Sequence, residues 1–170
     1  MKIKSFFAAS IIFAAVFSFH GRAASGAENA LPEGCAESGF RYEGERVILN
    51  PGAGNKEGLF LLHNVTGEAF QVTHPVKNPS ASAGWASEIG PGNWSAFAAG
   101  AEDFALMCVK PEAGGMKTLP CEEVLKVCGL PNPEMPSDLS GSFWASEDKE
   151  LNALLEDVKS RGISWGFQQH

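Results

Sequence analysis

Apolar and polar positions alternate along the middle of the chain in short runs broken by glycine, proline and asparagine. "RVILN" (46–50) and "GLFLLHNVT" (58–66) read as strands on either side of the "PGAGNKE" turn, and "AFQVTHPV" (69–76) follows a tight turn centred on Thr66 and Gly67. "NWSAFAA" (93–99) and "DFALMCVK" (103–110) read as a hairpin across Gly100 to Glu102. A final pair, "MKTLPC" and "EVLKVC", is broken at Pro120. In "EIGPGNWSAF" the Pro91-Gly92 turn leads into alternation that puts Trp94, Ala96 and Ala98 on one face and Ser95 and Phe97 on the other, with Trp94 in the core. Short strands at this spacing, with no βαβ alternation, predict a mainly β fold: an antiparallel Greek-key β-sandwich.

Towards the C-terminus the period changes from two to that of a helix. Leu151, Leu154, Leu155 and Val158 form one apolar stripe, with Ser146 as N-cap, Glu147 and Asp148 at the positive end of the helix dipole and Gly162 as the stop. Such a helix is marginal alone in water, so it is expected to pack on the sandwich. Before it, "GLPNPEMPSDLSG" (129–141) should run extended over the surface, and Ile163, Trp165 and Phe167 alternate in a short added edge strand or tail.

The N-terminus obeys a different pattern. Lys2 and Lys4 precede the apolar run "FFAASIIFAAVFSF" (6–19) and the small residues "GRAASGA", the layout of a secretory signal peptide of bacterial appearance. This divides the chain into a signal peptide at 1–24, a leader at 25–44, a sandwich core at 45–130, and a Pro-rich crossover with the helix at 131–170, packed on the same domain. Removing Lys2, Lys4 and Arg22 leaves 10 basic residues against 20 acids, so the exported chain carries a net charge near −10. That composition argues against nucleic-acid partners and against an electrostatic hold on anionic lipid, and no later segment is apolar for long enough to span a membrane. The expected location is the periplasm or the exterior.

Four cysteines, Cys35, Cys108, Cys121 and Cys128, remain after export and predict two disulfides, with three connectivities open. The order His63, His74, Cys108, Met116 on an exported sandwich resembles the cupredoxins, whose blue-copper centre uses two His, one Cys and a weak Met. That family takes its second histidine from the loop after the cysteine, and "CVKPEAGGMKTLPC" contains none, so copper stands as an alternative and a metal-free sandwich, cupredoxin-like in topology, as the main expectation. GxSxG and HExxH are absent; a cell-wall hydrolase would need His63 or His74 beside a carboxylate in a cleft. Asn64-Val65-Thr66 and Asn93-Trp94-Ser95 match the glycosylation pattern, which acts only in a eukaryotic secretory pathway.

"HNVTGEAFQVTHP", "SAGWASEIGPGNWSAF", "DFALMC", "PCEEVLKVCGL" and "GSFWASEDKELNALLEDVKSRGI" follow one another in an order that resembles the small exported proteins called enhanced entry protein B of intracellular Gram-negative bacteria. The resemblance implies an envelope or secreted location and a role associated with host-cell entry, and it does not imply a reaction. The chain is therefore expected to be a non-catalytic binding or accessory protein, without cofactor, that meets another envelope or secreted protein. Trp85, in a loop of small residues, and Trp165 are the candidate anchors for that partner.

Overall fold

The computed structural model describes residues 31–32, 34–52, 57–74, 86–100, 102–130, 133–136 and 144–165, with the backbone alone for 144–147. Strands β1 (Phe40–Glu43), β2 (Arg46–Leu49), β3 (Glu57–Asn64), β4 (Phe70–Thr73), β5 (Ala86–Ile89), β6 (Trp94–Gly100), β7 (Phe104–Glu112) and β8 (Gly115–Leu119) precede a single turn of helix, α1 (Cys121–Val124). After it come β9 (Leu125–Leu130), β10 (Pro133–Glu134), β11 (Trp144–Lys149), helix α2 (Leu151–Ser160) and β12 (Ser164–Trp165). One sheet has the order β1-β2-β7-β4-β5, with β8 also on β7; a second has the order β11-β6-β3-β9; β10 and β12 form a two-stranded ribbon. Every pairing is antiparallel.

The two sheets face one another across a core built from one side of each alternation. Val47, Leu49, Phe70, Val72 and Leu106 come from the first sheet, and Phe60, Leu62, Phe97, Leu125 and Val127 from the second. The other face of the second sheet is also covered: Leu59, Leu61, Trp94, Ala96, Ala98 and Leu130 lie under Leu154 and Val158 of α2 and under Ile163. This explains why "LFLL" and "WSAFAA" show little polar alternation, since β3 and the body of β6 are buried on both sides. The architecture is an antiparallel sandwich with the C-terminal helix as a third layer.

The faces of β6 are as the alternation predicts, but its partner is not. β6 pairs with β3 and β11, while β7 lies in the opposite sheet between β2 and β4, so the chain crosses the sandwich near residues 100–103 where the sequence predicts a hairpin. The last predicted pair divides in the same way, with β8 in one sheet, β9 in the other and α1 between them. The tight hairpins are β1–β2 and β7–β8. Gly44 allows the first, because its φ of 61° is one a side chain resists and its neighbours Glu43 and Arg46 are directly paired.

The helix begins later than the Ser146 cap predicts. Residues 144–149 are drawn into the ladder with β6, Trp144 opposite Ala98 and Lys149 opposite Trp94, so Glu150 is the N-cap and Asp148 sits in a bulge with φ 48°. Tertiary pairing there outweighs local capping preference. The C-terminus ends as expected, in a full Schellman motif: Gly162 N–H donates to Lys159 O (2.9 Å), Ile163 N–H donates to Val158 O (3.3 Å), and Ile163 packs into the same cluster as Val158.

Candidate functional site

The sulfur and imidazole groups are placed first by the sheets. Cys108 in β7 is bonded to Cys121 at the start of α1, and Cys35 to Cys128 in β9. This selects one of the three connectivities, and the pairs mark a chain that folds in an oxidising environment. His63 in β3 and His74 just after β4 belong to opposite sheets, and Met116 is 56% exposed on the β7–β8 hairpin. The copper set of the alternative reading is not assembled: the Cys108 sulfur is spent in a bond to Cys121, and no group of three His, Cys, Asp or Glu among the described residues converges as metal ligands would.

Each histidine is instead a packing residue. His63 is 3% exposed and lies flat on Trp94, with ring centroids 4.1 Å apart and planes 3° from parallel, the two residues being directly opposite in the β3–β6 ladder. Burial holds its pKa below the usual 6.5, opposed by a hydrogen bond to the backbone of Gly92. His74 stacks on Phe104 at 4.2 Å, and its Nδ1 meets the Ala105 carbonyl at 2.8 Å. Gly92 and Ala105 meet the two rings through backbone groups, whereas the hydrolase reading asks for a carboxylate.

The densest polar arrangement among the described residues gathers around Asn64, which sequence reasoning weighs only as a glycosylation acceptor. Asn64, the last residue of β3, has no exposed surface. Its Nδ2 reaches the carbonyls of Glu68 (2.8 Å), Ile89 (2.8 Å) and Gly90 (3.0 Å), and its Oδ1 accepts from the N–H and hydroxyl of Thr66 (2.8 and 2.7 Å). Its backbone N–H donates to Asn93 O (3.0 Å), and its carbonyl accepts from Gly92 N–H (3.1 Å). Asp148, in the β11 bulge, closes the arrangement by accepting from Gly90 N–H (2.7 Å) and Asn93 Nδ2 (2.8 Å). Two loop ends from one sheet are thereby fastened to the last turn before the helix. The available signal was Asn-x-Thr-Gly at the end of a strand, an Asx turn. Read as a glycosylation acceptor it misleads, because the Asn64 amide is buried and the Asn93 amide is held by Asp148.

Of the two candidate anchors, Trp85 lies outside the described residues. Trp165, in β12, is half-buried and packs on the helix-side core, and its indole Nε1 is buried without an acceptor. An open pocket lies nearby, lined by Ala36, Ser38, Gly58, Phe60, Gly129 and Pro133 among others. At the surface, the Asp103 carboxyl is held below its usual range by Arg41, whose Nη2 is 2.8 Å away, and by Asn50; Lys110 does the same for Glu68. Among the described residues no helix is long and apolar enough to cross a membrane. No family model, no curated protein and no solved structure matches this chain.

Proposed function

We propose that this is a non-catalytic binding or accessory protein of the bacterial periplasm or exterior, and that it meets another envelope or secreted protein through the segment at 80–92 or the C-terminal segment. The observation that carries this reading is the use to which the reactive side chains are put. His63 and His74 are stacked on aromatic rings and bonded to backbone, and all four cysteines are paired, so the groups that usually do chemistry here serve the fold. The oxidising environment implied by the disulfides and the signal-like N-terminus support export, and the resemblance of the block order to enhanced entry protein B suggests a role in host-cell entry.

The test is capture from an envelope fraction after cross-linking, with wild type, Trp85→Ala and Trp165→Ala as baits. A specific protein retained by wild type and weakened by either variant is the expected result. Thiol and metal analysis of the same preparation runs beside it. A free Cys108 with stoichiometric copper, or turnover of cell-wall polymer, would replace this reading with one of its rivals.

A further inference from the structure

The two disulfides sit in different surroundings and close different parts of the molecule. Cys108 and Cys121 both have no exposed surface and belong to the core between the sheets. Cys128 is equally buried, but Cys35 is partly exposed and lies in the segment that precedes the first strand. That segment runs along the outer edge of β9. Ala36 and Gly129 exchange both backbone hydrogen bonds, at 2.9 and 3.0 Å, in an isolated bridge. A Cβ on Gly129 would come within 2.5 Å of the Ser38 carbonyl oxygen, so the missing side chain is what lets the segment lie so close. Further along the same edge, the Tyr42 hydroxyl donates to Leu125 O at 2.8 Å. A bare sheet edge offers unpaired N–H and C=O groups to any other strand, and this one is closed at Gly129 by a few residues that the Cys35–Cys128 bond pins in place.

We infer that Cys35–Cys128 is a reducible latch, which a dithiol reductant can open while Cys108–Cys121 stays closed, uncovering the β9 edge at Gly129 and the pocket walled by Ala36 and Ser38. A thiolate of the reductant attacks the Cys35 sulfur, the S–S bond breaks, and Cys128 leaves as a thiolate that takes up a proton. The reductant's second thiol then attacks its own sulfur in the mixed disulfide, releasing Cys35 as a thiol. The reductant ends as a disulfide and the latch as two thiols, a transfer of two electrons. Selectivity comes from access, since the attacking sulfur must approach in line and the Cys108–Cys121 pair offers no exposed surface.

The folded protein would be treated with graded dithiothreitol, quenched by alkylation and mapped by peptide mass spectrometry, with amide hydrogen exchange followed at each dose. Cys35 and Cys128 are expected to become alkylated roughly tenfold or more faster than Cys108 and Cys121. The Ala36 and Gly129 amides should lose protection at the same dose while the amides of β7 keep theirs. Simultaneous reduction of both bonds, or Ala36 and Gly129 amides that stay protected after Cys35–Cys128 opens, would overturn the inference. The double variant C35S/C128S should fold with an unprotected Gly129 amide; a chain that fails to fold would make the bond part of the scaffold and refute the latch.

Discussion

Asn64→Ala should be far more damaging than its place in a surface-loop sequence implies. The substitution removes three donor contacts to backbone carbonyls and two acceptor contacts to Thr66 from a residue with no exposed surface. The bond to Ile89 O is buried, and stranding that carbonyl costs about 1–3 kcal/mol. The other four are part-buried and can recover some hydration, so about 0.5 kcal/mol each is a fair allowance. The sum is about 3–5 kcal/mol, a large share of the ~5–15 kcal/mol that holds an ordinary domain together, and it corresponds to a fall in Tm of roughly 10–15 °C. Urea unfolding monitored by tryptophan fluorescence measures it directly. Asn64→Asp tests the cause, because it keeps the shape and the acceptor but turns an acceptor towards three carbonyls; it should be at least as unstable as the alanine variant. A loss below about 1 kcal/mol for Asn64→Ala, or an Asp variant clearly more stable than the Ala variant, would refute the claim that the amide donors fasten these loops.

Leu154→Ala, which empties a fully buried position between α2 and the second sheet, should cost about 3 kcal/mol in the same unfolding assay. Gly129→Ala forces a methyl group against the Ser38 carbonyl and should cost about 1–3 kcal/mol, with Ala36 amide exchange faster than in wild type. Because burial depresses the His63 pKa in the folded state, the unfolded chain binds a proton first: stability should be full above pH 6.5 and decline as pH falls below it, towards the folded value. His63→Phe keeps an aromatic ring on Trp94 but cannot titrate, so its stability curve should lose that part of the slope, which a series of unfolding curves between pH 8 and 5 would reveal.

Much of the fold was legible wherever a residue's face was the question. The alternation in "NWSAFAA" assigns Trp94, Ala96 and Ala98 to one side and Ser95 and Phe97 to the other, and the structure agrees. Alternation says nothing about which strand lies alongside, and nearness in sequence misled there: β6 and β7 follow one another yet sit in opposite sheets. Gly162 was readable because the left-handed turn it makes is a local requirement, whereas Ser146 lost its capping role to a ladder with β6, a contact far away along the chain. The cysteine pairing likewise depends on which strands become neighbours. Asn64 was hidden for a related reason, since an asparagine in a turn-like sequence is ordinarily wet and only the convergence of two loops buries it.

The helix layer has a consequence for how the chain reaches its native state. The face of the second sheet formed by Leu59, Leu61, Trp94, Ala96 and Ala98 is closed by residues 154, 158 and 163, which follow all four strands of that sheet along the chain. Until they dock, the folding chain can bring its two sheets together but still presents an uncovered apolar wall, so its early intermediates should be sticky and dependent on holdase chaperones. Cutting the gene short before α2 should therefore leave a chain that aggregates as it folds, even though every strand between β1 and β9 is intact.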